Sequence, residues 1–256
     1  MERYKVTPED RARISLRENT LKVSGDQIFA TLQGEGVTSG SKAVFLRLHF
    51  CNLKCSWCDT TYTWNKNNPE FWQEPQDWSF PQTVNKIEKS WQEKFSPDTP
   101  ISEKRVVITG GEPLLQQNKI VEVIKHLPNW NVEIETNGTI MPLPELSNCQ
   151  FNCSPKLENS GNEKQKRYKP EVLEFINSLP NSWFKFVVSE TKDLEEIDQI
   201  VSECGLIPEK ILIMPEGHTI ESTSKHLTTV EKAVSERGWK VAKRNQLEWF
   251  GNKRRT

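Results

Sequence analysis

Six short apolar runs rich in β-branched side chains punctuate the chain, and each closes on polar or glycine-containing positions. They are "AVFLRLHF" from Ala43, "RVVITGGEP" from Arg105, "NVEIETNG" from Asn131, "QFNCSP" from Gln150, "WFKFVVSE" from Trp183 and "KILIMPEG" from Lys210. Apolar runs without strict alternation read as parallel strands buried on both faces. Between them the period changes to that of amphipathic helices, in "NKIVEVIKHL" from Asn118, "PEVLEFINSL" from Pro170, "LEEIDQIVSECG" from Leu194 and "TTVEKAVSERG" from Thr228. Gly205 and Gly238 supply helix-ending signals. Strand and helix alternate, which predicts an α/β fold with a largely parallel sheet.

The polar closings matter most, because parallel sheets and barrels bind ligands at the carboxyl ends of their strands. Six such ends are too few for a closed eight-stranded barrel. Residues 65–82, "NKNNPEFWQEPQDWSFPQ", are rich in Pro, Asn and Trp and have no clear period, which reads as an inserted loop and a candidate lid. Residues 1–23 read as a charged N-terminal extension, leaving 24–256 as a single domain.

Charge narrows the partners. The 34 basic and 35 acidic side chains leave a formal charge of -1, so no electrostatic footprint of a nucleic-acid binder exists and a small-molecule substrate is expected. No stretch approaches eighteen apolar residues and the N-terminus has no signal-peptide pattern, which predicts no membrane segment and a cytoplasmic location. In that reducing compartment the six cysteines read as ligands or core residues rather than disulfides.

Three of them, Cys51, Cys55 and Cys58, fall within "FCNLKCSWCD". A thiolate zinc site wants four ligands, and the nearest fourth candidates are His49 and Asp59. An iron–sulfur cube on three thiolates is the sharper reading, because one iron is left open to a small molecule. A non-enzymatic metal module stays open as an alternative. Cys149, Cys153 and Cys204 read as packing residues.

The cysteine spacing, the aromatic-rich loop after it and "GGEP" at the end of the following strand resemble the radical S-adenosylmethionine superfamily. The resemblance implies a partial (β/α)6-type barrel, with a reduced helix count as a variant, holding a 4Fe-4S cluster whose open iron chelates S-adenosylmethionine. It places Trp57, Asp59, Gly110, Gly111 and Glu112 against that cofactor, with Glu112 offering a carboxylate to its ammonium. Glu135 and Asn137 of "ETNG" suit the ribose hydroxyls, Ser154 and Lys156 of "CSPK" its hydroxyl and carboxylate oxygens, and Met214, Pro215 and Glu216 the adenine.

Finer motifs narrow the resemblance. "FATLQGEG", "FLRLHFCNLKCSWCDTTYTW", "TGGEPLLQ", "ETNG", "SPKLENSG", "MPEG" and the tail "QLEWFGNKR" are together similar to the 7-carboxy-7-deazaguanine synthase family. That family contracts the ring of 6-carboxy-5,6,7,8-tetrahydropterin with loss of ammonia, on the route to queuosine and other deazapurines. The similarity implies that Leu32, Gln33, Gly34, Glu35, Arg47 and Thr109 receive the pterin and that Thr60 ligates Mg2+. It further implies a homodimer and an electron donor such as flavodoxin or ferredoxin. Glu248 stands where relatives commonly carry a histidine, and is expected at the pocket rim facing the amino-pyrimidine side. Another radical enzyme, such as a glycyl-radical activase, would share the cysteines and "GGEP" but has no use for "LQGEG" or for Arg47 with Thr60.

Overall fold

The computed structural model describes residues 4–251; positions 1–3 of the N-terminal extension and 252–254 of the tail motif lie outside them. All six expected strands form, as β2 (Lys42–Leu48), β4 (Arg105–Gly110), β5 (Asn131–Thr136), β6 (Gln150–Cys153), β7 (Ser182–Val188) and β8 (Ile211–Pro215). They are parallel neighbours in that order. Three further strands extend the sheet: β1 (Thr20–Leu32) and β3 (Pro75–Ser79) on one edge and the two-residue β9 (Lys240–Val241) on the other. The order runs from β3 to β9 without closing, so the barrel is open.

The stretch read as a lid at 65–82 is instead built into the sheet. It contains α2 (Pro69–Gln73), all of β3 and the first turn of α3 (Phe80–Lys94). Its aromatic residues explain why: Phe71, Trp72 and Trp78 are buried, and β3 pairs antiparallel with β1 from Thr20↔Ser79 to Ser24↔Pro75. Burying three large rings outweighs the ordering cost that its irregular pattern implies. The boundary placed after residue 23 likewise falls inside β1. Lys22 there is fully buried and paired with Asp77 of β3 at 2.6 Å, and α1 (Pro8–Ile14) contacts α2.

Helices α4 (Gln117–Ile124), α6 (Pro170–Ser178), α7 (Thr191–Cys204) and α8 (Ile220–Glu236) match the periodic segments, and the one-turn α5 (Lys164–Arg167) precedes α6. Gly205 ends α7 in the left-handed conformation. Between β5 and β6 only a 3-10 turn at Pro144–Leu146 intervenes, which is the reduced helix count. Cys149, Cys153 and Cys204 are buried in the main core, as packing residues should be.

Side chains alternate across a strand, and here the alternation separates core from site. On β7, Phe184, Phe186 and Val188 join the main core while Lys185 and Val187 line a cavity on the inner face. The same inner register carries Phe29 and Thr31 on β1 with Gln33 just beyond it, Phe45 and Arg47 on β2, Thr109 on β4, Glu135 on β5, and Asn152 on β6 with Ser154 just beyond it. No described helix is long and apolar enough to cross a membrane.

Candidate active site

The inner face encloses a cavity of about 350 Å³ at the carboxyl ends of the strands. Its outer wall is the loop after β2. That loop starts at Phe50, the one non-glycine residue among those described with positive φ (81°), a conformation that costs energy and turns Cys51 into the cavity. Cys51, Cys55 and Cys58 all line the cavity. Burial pushes the Cys51 thiol up to about 12 and raises that of Cys55 as well, so cationic iron is what would hold these sulfurs as thiolates.

Among the described residues no three His, Cys, Asp or Glu converge closely enough to hold a single metal ion. A cluster asks something different of its ligands, since its thiolates bind separate irons at the corners of a cube.

The two glycines of "TGGEP" exist for the close approach of β4 to this loop. A Cβ on Gly111 would sit 2.1 Å from the Phe50 carbonyl oxygen and 2.8 Å from Cys51 Cβ. One on Gly110, at φ +146°, would sit 2.1 Å from the Leu48 carbonyl oxygen. Both glycines line the cavity, but the Glu112 side chain does not. Glu112 is fully buried and its carboxylate accepts from Leu114 N at 3.0 Å, Thr136 Oγ1 at 2.8 Å and Asn137 N at 2.7 Å. The expected carboxylate for a cofactor ammonium is therefore spent on tying β4 to β5, and only backbone at this turn faces the cavity.

The remaining residues that the resemblance assigns to the cofactor lie around this one cavity. Trp57, Asp59, Asn137, Ser154, Lys156, Met214, Pro215 and Glu216 line the cavity. Lys156 donates to Ser154 Oγ at 2.7 Å and lies 5.3 Å from the Trp57 ring centre. Asn137 is anchored through Asn52, to whose Oδ1 it donates at 2.9 Å. Glu135 differs, because its carboxylate accepts from Thr109 Oγ1 at 2.9 Å and Gln33 Nε2 at 3.4 Å and so belongs with the residues expected on the substrate side. Thr60 lines the cavity with its Oγ1 3.5 Å from Cys58 Sγ.

Opposite the cysteines lies a charged wall. Leu32, Gln33, Gly34 and Glu35 turn the β1–β2 hairpin there, with Arg47 beside them. Glu35 pairs with Lys185 of β7 and with Arg244, whose Nε is 3.3 Å from its Oε1. Burial pulls the Glu35 carboxyl up, but Lys185 and Arg244 outweigh it and hold the group well below the ordinary carboxylate range. Burial pulls Lys185 down, and Glu35 with Glu135 more than restores its charge. Arg47 Nε is buried with no hydrogen-bond partner, as is Gln246 Oε1. An unpaired buried donor costs about 1–3 kcal/mol, so the Arg47 guanidinium is a costly group to leave without an acceptor.

Lys185, Arg244 and Gln246 were not singled out from the sequence. A lysine inside "WFKFVV" at an inner-face position was the available signal. The tail was read one residue face away: α9 (Asn245–Phe250) points Gln246 and Leu247 at the cavity, while Glu248, roughly 200° on from Gln246, is exposed and outside it. Gln246 Nε2 donates to Glu35 Oε1 at 2.6 Å.

An open parallel barrel whose strand ends carry a three-cysteine loop and a glycine-paired turn defines an iron–sulfur protein of the radical S-adenosylmethionine type. Residues 32–166 match the family model described as 4Fe-4S single cluster domain. A 7-carboxy-7-deazaguanine synthase of Pyrobaculum aerophilum is 34% identical over 233 residues, covering 89% of this chain and 95% of its own. One of Rhodopirellula baltica is 32% identical, covering 98% and 93%. The crystal structure of QueE from Escherichia coli superposes with a TM-score of 0.64 at 24% identity, over 88% of this chain and 93% of that one, and shares the fold. The chain belongs to the 7-carboxy-7-deazaguanine synthase family.

Proposed function

We propose that this enzyme converts 6-carboxy-5,6,7,8-tetrahydropterin to 7-carboxy-7-deazaguanine with loss of ammonia, in queuosine or related deazapurine biosynthesis. The observation that carries this reading is Arg47, a guanidinium with a buried, unpartnered Nε in a cavity that also holds the cysteine loop. Cys51, Cys55 and Cys58 would hold a 4Fe-4S cluster that, with S-adenosylmethionine bound, supplies a hydrogen-abstracting radical. Gly110 and Gly111 backbone, Trp57, Asp59, Asn137, Ser154, Lys156 and the turn Met214–Glu216 form the cofactor side.

The other wall does the recognising. Arg47 would take the pterin carboxylate as a charge-assisted pair. Glu35, Glu135, Gln33 and Thr109 present acceptors and donors for the flat pterin edge. Lys185 and Arg244 keep Glu35 ionised, so that it accepts only. Thr60 Oγ1 is the protein oxygen for Mg2+, which needs few protein ligands when substrate oxygens supply others. A low-potential electron donor and a homodimeric assembly complete the reading.

Anaerobic reconstitution with iron and sulfide, then incubation with reductant, S-adenosylmethionine and the carboxypterin, tests it. Formation of 7-carboxy-7-deazaguanine and ammonia is expected, without stoichiometric 5'-deoxyadenosine, because the conversion loses only ammonia and leaves no electron or hydrogen atom over. Cofactor cleavage without pterin turnover would overturn the substrate assignment.

A further inference from the structure

The cysteine loop is held on its outer side by residues 159–162. Ser160 O accepts from Ser56 N at 3.0 Å, and Asn159 Oδ1 accepts from Trp57 Nε1 at 3.3 Å. Asn162 makes the most pointed contacts: its Oδ1 accepts from Lys54 N at 2.8 Å and its Nδ2 lies 3.4 Å from Cys55 Sγ, as a donor. The buried Arg167 fixes Asn162 in place. It donates to Asn162 O at 3.1 Å and Lys156 O at 2.9 Å and pairs with Glu196 of α7 at 2.6 Å.

Cys58 Sγ takes a backbone donor, Thr60 N at 3.4 Å. Among the described residues Asn162 is the only side-chain amide that donates to a sulfur of this loop, and it chooses the one buried cysteine of the three. A hydrogen bond is worth most where water is excluded.

We propose that Asn162 sets the reduction potential of the iron–sulfur cluster through its N–H···S bond to Cys55. The proposal rests on reading the three cysteines as cluster ligands. Reduction adds an electron whose charge spreads onto the thiolate sulfurs, and a donor at sulfur stabilises that state. Without it the cluster is harder to reduce. Asn162 is thus a positioning residue for the electron rather than for the substrate.

The test uses Asn162→Asp, which keeps an acceptor for Lys54 N and loses the donor, and Asn162→Leu, which loses both without adding charge. Ser56→Ala removes a tie to Asn159 O that touches no sulfur, and serves as the control. Each full-length protein is reconstituted and titrated with a low-potential reductant, without S-adenosylmethionine, while electron paramagnetic resonance follows the reduced cluster. Both Asn162 variants are expected to retain about four irons per chain and to reduce about tenfold less favourably, about 59 mV lower for one electron. The control keeps the parent potential. Unchanged potentials in fully loaded Asn162 variants would overturn the proposal, as would loss of the cluster from both, which would make Asn162 a loop anchor only. A parent protein that binds no cluster would overturn the underlying reading instead, since no potential would exist to shift.

Discussion

Arg244 joins the two walls of the cavity: its Nη2 lies 2.9 Å from Asp59 Oδ2 in the cysteine loop while its Nε faces Glu35 in the hairpin. The two legs differ in strength. Asp59 has a half-exposed side chain and screening weakens that contact, whereas Glu35 is largely enclosed. Asp59→Asn is expected to change stability by less than about 1 kcal/mol. Arg244→Met, which leaves Glu35 short of a partner, is expected to cost about 2–5 kcal/mol in pterin binding. Denaturant melts and substrate titrations separate the two; equal effects would show that the legs are equivalent.

Glu35 gives the protein an acid limit. Its carboxyl is lowered from an ordinary value of 4.5 to about 2, so its ion pairs contribute stability that is present above pH 4.5 and lost as pH falls toward 2. Lys185→Gln removes one of the charges that hold the carboxyl down. The variant's Glu35 should then titrate closer to 4.5, which carbon-13 detected carboxyl titration would read directly. A titration unmoved by the substitution would assign the shift to Arg244 and Gln246 without Lys185.

Gly111→Ala is expected to abolish cluster loading. The added methyl would collide with Phe50 O and Cys51 Cβ, atoms of the backbone turn that aims the first cysteine. Iron content after reconstitution checks this, with circular dichroism to confirm a folded sheet. Normal iron content would mean that the turn yields.

Glu112→Gln retains size but turns an NH2 toward at least one of three donors that now meet an oxygen. A loss of about 1–3 kcal/mol in urea unfolding is expected. If stability held while cofactor affinity collapsed, the carboxylate would face the ligand after all.

The tail supplies a paired expectation. Gln246→Leu should raise the KM for pterin at least about fivefold by removing a half-buried amide worth roughly 1 kcal/mol, and Glu248→Gln should match the parent in kcat and KM. The reverse ranking would return Glu248 to the pocket.

What the sequence conveyed followed from periodicity and local chemistry. Six apolar runs became six parallel strands because one face of each packs into the main core while the other closes around the cavity, and the cysteine loop was legible because its three cysteines are close in sequence. Phe71, Trp72 and Trp78 were harder to place: their segment has no period, and its strand forms only because β1 offers an edge to pair with. Lys185 looked like an interruption of an apolar run, since nothing local announces Glu35, its partner 150 residues away. Glu112 misled for a related reason, since a carboxylate beside two glycines reads as ligand chemistry until its three donors are seen.

The contact between Gln246 and Glu35 spans 211 residues. At translation rates of about 5–20 residues per second, roughly 10–40 s separate the synthesis of the two. Through that interval the hairpin acid has neither Gln246 nor Arg244 beside it, and the recognition wall is half built. On the proposed function, a nascent chain can therefore assemble its cysteine loop well before the wall that would receive the pterin, so iron loading and substrate recognition would become available at different moments in the life of the molecule.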